Sequence, residues 1–499
     1  MKLAPRALPE LLAGRRIASV TGTNGKTTTT HFLTAAVRAE TPDGQRSVVT
    51  NADGANLHHG IVSALGQAPD ATIAVLETDE RVVADVVAMG SPEVLVLLNF
   101  SRDQLDRNHE LTFLGRDWRA ALEKAAEHGP TVVANACDPL IVWVCQKARH
   151  VIWVDTKPRW TADATLCPNC GAVLTHSDQG WDCPGCELQQ PAADWWVEDH
   201  DAVEASGRRF HLDVQVPGSF NLTNATCALA AAIHMGIQPE DALRGIATVK
   251  SPAGRYATCT ISGTRCRLLL SKNPAGWTES LPLTTSNPLV LAIDAVAADG
   301  KDVSWLWDVD YEQLAGRTVI CAGPRALDLA VRLQYAEVEH IVIEDLSQAL
   351  SPPLLAGKWD AEHPIDVRSP FQPFQKLRRR RGGGGESTVP RSSCCTSPCW
   401  ASTATTAMPS SSLNDCNGVA STPSSSSSSL VSLCPPTGPF TCWGAERTPP
   451  RSPPYKSSKL MAGCSPPSTT AQCFLQCAPA TRSAESPSPL GPVMRSSKG

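Results

Sequence analysis

From residue 15 to about residue 375 the chain alternates short aliphatic and β-branched runs with longer segments whose apolar positions suit helices. The runs Ile17–Val20, Thr72–Glu77, Glu93–Asn99, Thr131–Asn135 and Val151–Asp155 read as strands, and the stretch from Thr28 through Arg38 reads as the first long helix. Strands and helices in this rhythm predict a parallel sheet covered by helices. A second series follows Gly254: Leu289–Asp294, Thr318–Ala322, a helix from Arg325 to Ala336, and His340–Glu344. It predicts a smaller α/β domain. Trp305 and Trp307 alternate with Ser304 and Leu306, which suits a strand whose aromatic face meets the core or a partner. The fold class is α/β, with one domain over 10–252, a second over 253–377, and a segment of different character over 378–499.

That last segment opens with four arginines and four glycines, Arg378–Gly385, and continues in Ser, Pro, Thr and Cys, including the run Ser424–Ser429. With no sustained period of 2 or 3.6 it cannot bury enough apolar surface to offset its ordering entropy, so it predicts disorder. Its irregular cysteines also resemble GC-rich coding DNA translated out of frame, and the nucleotide sequence separates the two readings. A frame error beginning near Arg368 would damage the last strand of the second domain.

Charge narrows the function classes. Residues 1–381 carry 36 Lys and Arg against 45 Asp and Glu, a net charge of −9, which argues against a nucleic-acid footprint. No run approaches the roughly 18 apolar residues that a membrane span needs. The start, with Lys2, Arg6, Glu10, Arg15 and Arg16, lacks the apolar stretch of a secretory signal. A cytoplasmic protein is expected. Of 19 cysteines, nine lie beyond residue 390 and four form two CxxC pairs. The remaining six, Cys137, Cys145, Cys227, Cys259, Cys266 and Cys321, sit singly, as small core residues of a reducing compartment do.

The first chemical signal is Thr21-Gly22-Thr23-Asn24-Gly25-Lys26-Thr27-Thr28, between the first strand and the first long helix. Glycines let the backbone turn its N–H groups toward phosphate oxygens, the helix N-terminus adds its positive end, and Lys26 places a charge on the β- and γ-phosphates. Thr27 is then a magnesium ligand. Val20 stands where the strict phosphate-loop pattern has its first glycine, so the loop is a variant.

The second signal is Cys167-Pro168-Asn169-Cys170 and Cys183-Pro184-Gly185-Cys186, twelve residues apart. Two such knuckles supply the four-sulfur tetrahedron that zinc favours, with no open position for a catalytic water. A redox dithiol or a disulfide pair is the other reading. The ribbon, an insertion over 160–197, contains no Lys or Arg, which disfavours phosphate-backbone binding.

The string Thr21–Thr29 resembles the Mur ligase family, and further matches follow in that family's order. Glu77 ends a strand where those ligases keep a magnesium-binding carboxylate. The stretch Asn99 to Asp106 is similar to the family's N-x-x-x-D-H-x-D element, with Gln104 in place of histidine. Gly218 to Ala225 resembles the turn whose asparagines, here Asn221 and Asn224, lie near the nucleotide. Gly254-Arg255-Tyr256 resembles the step into the last domain, where the arginine contacts phosphate. With a phosphate loop at residue 22 there is no room ahead of it for the usual UDP-sugar domain. That loss, the cysteine ribbon, the string Ser271–Trp277 and the string Asp299–Asp308 resemble the MurT branch of the family, the ligase-like subunits of lipid II isoglutaminyl synthase.

The resemblance implies ATP, magnesium and zinc as cofactors and lipid II as substrate, met at the inner membrane face. The glutamate α-carboxylate of its stem peptide is activated as an acyl-phosphate and amidated. It also implies a GatD-type glutamine amidotransferase partner in a heterodimer, because the chain shows no glutaminase of its own. An aspartate of the second domain, Asp302 or Asp308, is then expected to complete the partner's Cys–His dyad. Two other readings fit part of the pattern: a stand-alone Mur-type or folyl-polyglutamate-type amino-acid ligase, and a zinc-ribbon phosphate-loop protein that only binds.

Overall fold

The computed structural model describes residues 6–39, 48–51, 54–102, 111–294, 302–351 and 363–370. The first domain runs α1 (Ala7–Leu12), β1 (Arg16–Thr21), α2 (Lys26–Ala39), β2 (Val48–Thr50), α3 (His58–Gln67), β3 (Ile73–Glu77), α4 (Val83–Gly90) and β4 (Val94–Leu97). It continues with α5 (Leu111–Ala125), β5 (Thr131–Asn135), α6 (Pro139–Cys145), β6 (His150–Val154), a short hairpin of β7 (Thr175–Ser177) and β8 (Gly180–Asp182), β9 (Trp195–Glu198), β10 (Asp201–Glu204), β11 (Arg209–His211), α7 (Ser219–His234) and α8 (Pro239–Ala247). Among the described residues the main sheet has the order β11-β10-β9-β6-β5-β4-β1-β3-β2, parallel from β2 to β9 and antiparallel beyond it.

Strands β1, β3, β4 and β5 are buried almost end to end, which is why they read as unbroken apolar runs rather than alternations. Phe32, Leu33 and Val37 of α2 pack with Ala228, Leu229 and Ala232 of α7 on one face of the sheet. Leu8, Leu12, Ile61 and Val86 from α1, α3 and α4 cover part of the other face, and α5 and α6 cover the rest. β1 lies between β3 and β4; the chain runs from β1 through α2 to β2 on one side, and from β4 through α5 to β5 on the other. The carboxyl end of β1 is thus the switch point where open α/β sheets leave a crevice for ligands.

The second domain holds β12 (Thr258–Ile261), β13 (Thr264–Leu270), α9 (Pro274–Ser280), β14 (Leu289–Ala292), β15 (Val319–Ala322), α10 (Ala326–Tyr335), β16 (His340–Val342), α11 (Leu346–Ala349) and β17 (Ile365–Ser369). Its sheet order is β12-β13-β17-β14-β15-β16. The last strand is therefore central and formed: Arg368 is fully buried, donates to Ser280 Oγ at 2.6 Å, and lies 5.2 Å over the Trp277 ring. Residues from 371 onward, with the tail and its expected disorder, lie outside the described residues, as do Gln104 and Asp299–Lys301.

One expected element is corrected. Ser304–Asp308 is a 3₁₀ turn, not a strand. Leu306 and Val309, three apart, both point into the core, matching the three-residue period of that helix rather than a two-residue alternation. The Asp302 carboxylate accepts from Ser304 N at 2.8 Å and starts the turn. Trp305 packs on Trp277 at 5.8 Å, while Trp307 stays half exposed, edge-on to Tyr335.

Candidate active site

Register sets the site. Val20 pairs with Glu77 and Thr21 with Leu97, so β1, β3 and β4 end at one level and the loop 22–25 sits above all three. Gly22 has φ +136°, and a Cβ there would lie 2.9 Å from Asn99 N; Gly25 has φ +86°, with a Cβ 2.8 Å from Asn224 Oδ1. Only glycine meets both demands. Asn99 clamps the loop by accepting from Thr23 N through its carbonyl (2.9 Å) and from Asn24 N through Oδ1 (2.9 Å), and by donating Nδ2 to Asn24 O (3.1 Å). Lys26, Thr27 and Thr28 form the first turn of α2, buried beneath the loop. Lys26 Nζ is 2.9 Å from Glu80 Oε1, with both side chains about one-tenth exposed. Glu80 carried no motif, and its only signal was its place three residues after Glu77.

Glu77 is 2% exposed, and its Oε2 accepts no hydrogen bond among the described residues; Oε1 accepts from Asn56 at 3.1 Å. Burial pushes its carboxyl above the ordinary value of 4.5, against the pull of Lys26, Arg255 and Thr27. A buried carboxylate with an orphaned oxygen beside a threonine hydroxyl is a hard-oxygen donor pair that fits magnesium. Since the folded pKa is raised, ionisation of Glu77 costs stability as pH rises past 4.5. Glu77→Gln is accordingly expected to raise the melting temperature of the metal-free protein at neutral pH. It should also weaken magnesium-dependent nucleotide binding by about tenfold or more, as calorimetry with and without the metal would measure.

The second domain closes the crevice. Arg255 Nη2 donates to Thr27 Oγ1 at 3.1 Å, and Asn273, the N-cap of α9, donates to Asn24 Oδ1 at 3.2 Å. Asn221 and Asn224, bonded to each other at 3.1 Å, stand on the first two turns of α7, with Asn224 beside Gly25. Together these walls enclose a cavity of about 1420 Å³, large enough for a nucleotide with a second substrate.

The four cysteines meet at one point. Their Sγ atoms lie within 4.8 Å of one another, with Cys167–Cys186 at 3.6 Å and Cys170–Cys183 at 3.4 Å. Sulfur ligands at about 2.3 Å from a tetrahedral zinc stand roughly 3.8 Å apart, so the donor set fits that ion. All four are free thiols rather than disulfides. Gly171 at φ +78° lets its N–H reach Cys167 O, closing the first knuckle. Trp181 Nε1 donates to Ala136 O at 3.3 Å, docking the ribbon on the main sheet.

Of the two candidate aspartates, Asp302 is exposed and, among the described residues, engaged by its own turn, whereas Asp308 Oδ2 lies 3.4 Å from Arg102 of the first domain. Neither touches the phosphate loop.

Comparison with known proteins agrees with this architecture. Residues 20–232 match the Mur ligase middle domain, and residues 270–360 match the MurT ligase C-terminal domain. The chain is 30% identical over 356 residues to a lipid II isoglutaminyl synthase (glutamine-hydrolyzing) subunit MurT of Streptococcus pneumoniae, covering 66% of this chain and 78% of that one. A MurT subunit of Staphylococcus aureus is 28% identical over 351 residues, covering 66% and 79%. Among solved structures, a pseudomurein peptide ligase type C from Methanothermus fervidus superposes with a TM-score of 0.55 at 17% identity, covering 75% of this chain and 80% of that one. MurF from Acinetobacter baumannii gives 0.53 at 14%, covering 74% and 77%; at these identities the two structures speak for the fold alone. With the phosphate loop, its clamp and the closing second domain in one arrangement, the chain belongs to the Mur ligase family, in the branch that joins a Mur ligase middle domain to a MurT C-terminal domain.

Proposed function

We propose that this chain is the ATP-dependent ligase subunit that amidates the α-carboxylate of D-glutamate in the stem peptide of lipid II, using ammonia that a GatD-type amidotransferase partner releases from glutamine. One observation carries the reading: the phosphate loop and the orphaned Oε2 of Glu77 face a crevice closed by Arg255 and Asn273 of a MurT-type second domain. The names of the MurT relatives, which describe glutamine-hydrolysing subunits, support the partner.

A carboxylate is a poor acyl donor because oxide would have to leave. In the proposed sequence a carboxylate oxygen attacks the γ-phosphorus of ATP, the bond to the β-phosphate oxygen breaks, and ADP departs. Ammonia then attacks the acyl carbon, phosphate leaves with its electron pair, and the nitrogen loses a proton to give the amide. Gly22, Thr23, Asn24, Gly25 and Thr28 cradle the phosphates, Asn99 holds that loop, and Asn221 and Asn224 face the nucleoside side. Lys26 and Arg255 offset charge on the transferred group. Magnesium held by Thr27 and Glu77 would supply further charge neutralisation. No helix among the described residues is long and apolar enough to cross a membrane; in this reading the peptide of the lipid-linked substrate enters the cleft from the inner membrane face.

Co-expression with a glutamine amidotransferase of this class, followed by mass analysis of lipid II, is the test. The expected result is the mass loss that converts one carboxyl to an amide, dependent on ATP and glutamine. Consumption of a free amino acid with no amidotransferase present would instead establish a stand-alone ligase. Asp302, exposed and unclaimed by the described residues of the first domain, is the proposed partner for the dyad histidine. Asp302→Asn should leave nucleotide affinity unchanged and reduce glutamine hydrolysis by roughly 100-fold or more. If hydrolysis survives, the role passes to Asp308.

A further inference from the structure

The loop that follows β4 does two things within four residues. Ser101 N donates to Thr23 Oγ1 at 3.0 Å, so its backbone is fastened to the phosphate loop. Arg102, the next residue, turns away and grips two other parts of the molecule. Its backbone N–H and Nε donate to the two oxygens of Asp163 at 3.1 and 2.5 Å, and its Nη1 lies 3.4 Å from Asp308 Oδ2. The guanidinium also lies 5.7 Å from the centre of the Trp160 ring, whose Nε1 donates to the same Asp163 at 2.6 Å.

The partners of Arg102 have distinct owners. Asp163 and Trp160 belong to the strap 159–163 that leads into the first cysteine knuckle. Asp308 ends the 3₁₀ turn that Asp302 begins. The strap touches the second domain again where Arg159 N donates to Glu279 Oε1 of α9 at 2.7 Å. Trp305 of the turn packs on Trp277 of the same helix. One guanidinium thus completes a closed circuit from the phosphate loop to the strap, to α9, and to the turn that carries Asp302.

We propose that Arg102 is a positioning residue, which holds the turn 302–308 in register with the occupied phosphate loop and so links nucleotide binding to the surface offered to the glutamine-hydrolysing partner. Asp163 is 7% exposed at its side chain and holds Arg102 at two points, the backbone N–H and Nε, so the inner end of the guanidinium is anchored and Nη1 is left to meet Asp308. The Arg102–Asp308 contact is itself about one-third exposed on each side. It is weak and screened by salt, as a contact that must form and release should be. The link to glutamine hydrolysis rests on the function proposed above; the link between the loop and the turn does not.

Hydrogen–deuterium exchange on the full chain alone tests the second part. Adding a non-hydrolysable ATP analogue with magnesium should slow exchange in 22–28, 159–163 and 302–308 of the unsubstituted protein. In Arg102→Ala the slowing at 22–28 should persist and that at 302–308 should disappear, with Asp163→Asn giving the same loss from the other side of the clasp. Unchanged slowing at 302–308 in Arg102→Ala, or none there in the unsubstituted protein, overturns the proposal. In the complex with the partner, Arg102→Ala should lower nucleotide-stimulated kcat for glutamine by about tenfold with KM unchanged, or about 1.4 kcal/mol in the barrier. Arg102→Lys should restore part of it, and Arg102→Ala with Asp308→Asn should cost no more than Arg102→Ala alone. Additive losses, or a changed KM with kcat intact, also overturn it. A complex that hydrolyses no glutamine even when unsubstituted refutes the function proposed above and leaves the exchange result to decide this inference.

Discussion

Lys26→Ala is expected to remove ATP turnover, by about 10³-fold or more, with the fold retained. Lys26 stands on the first turn of α2 directly under the loop, with its ammonium 2.9 Å from Glu80 and able to donate to Gly22 O. It is the buried cation of the loop, and two carboxylates depend on it. Glu80 pairs with it, and its positive charge favours the ionised form of Glu77 against the burial that opposes it. Removing the ammonium therefore does more than delete a phosphate contact. It leaves buried acids facing the site where a polyphosphate must enter, which raises the cost of binding as well as of transfer. Lys26→Arg should not rescue, because a planar guanidinium cannot occupy the space of a compact ammonium bounded by Gly22 O and Glu80. Nucleotide affinity by calorimetry and ADP release in the presence of substrate and glutamine are the measurements. Turnover within tenfold of the unsubstituted protein would take the loop out of the chemistry.

Much of this arrangement was legible in the sequence because its signals are local. The phosphate loop is eight consecutive residues between a strand and a helix, and each cysteine pair is four; backbone geometry over such spans is nearly fixed by glycine, proline and the spacing itself. The parallel sheet was legible because strands covered on both faces read as unbroken apolar runs. What failed was the distinction between elements with short periods. Trp305 and Trp307 alternate as in a strand, yet the burial of Leu306 and Val309 follows a period of three, and four residues do not separate the two patterns. Glu80 and Arg102 were silent for a different reason. Their partners, Lys26, Asp163 and Asp308, lie 54, 61 and 206 positions away, and only the folded sheet brings them together. The choice between Asp302 and Asp308 has the same character, since it turns on which of them the first domain already holds.

If the four-cysteine centre holds zinc, as its donor set allows, removing that metal should destabilise the first domain and not merely the ribbon. Cys167, Leu174, Trp181, Cys183 and Leu188 share one apolar cluster with Trp118, Ile141 and Val144 of the domain body, so a ribbon that opens exposes part of the body's own core. Without metal, two of the sulfurs are drawn apart: donation from the Leu188 backbone N–H lowers the Cys186 thiol to about 6, while burial pushes Cys167 up to about 12. Zinc must displace the proton that Cys167 holds, so its affinity should increase with pH through the neutral range. Structural zinc contributes about 10–16 kcal/mol in small metal-dependent folds. If only a fifth of that is felt by the surrounding domain, its melting temperature falls by several degrees, at roughly 2–4 °C per kcal/mol. Cys170→Ser discriminates between metal and packing. Cys170 is exposed and Cys183 is buried. If the cysteines mattered only as small core residues, Cys170→Ser would be silent and Cys183→Ser costly. With a four-sulfur centre, both variants should lose zinc by elemental analysis and both should melt early, whereas Cys137→Ser, outside the cluster, should keep one zinc per chain. A Cys170→Ser protein with full zinc and an unshifted melting temperature would show that the ribbon is held by packing alone.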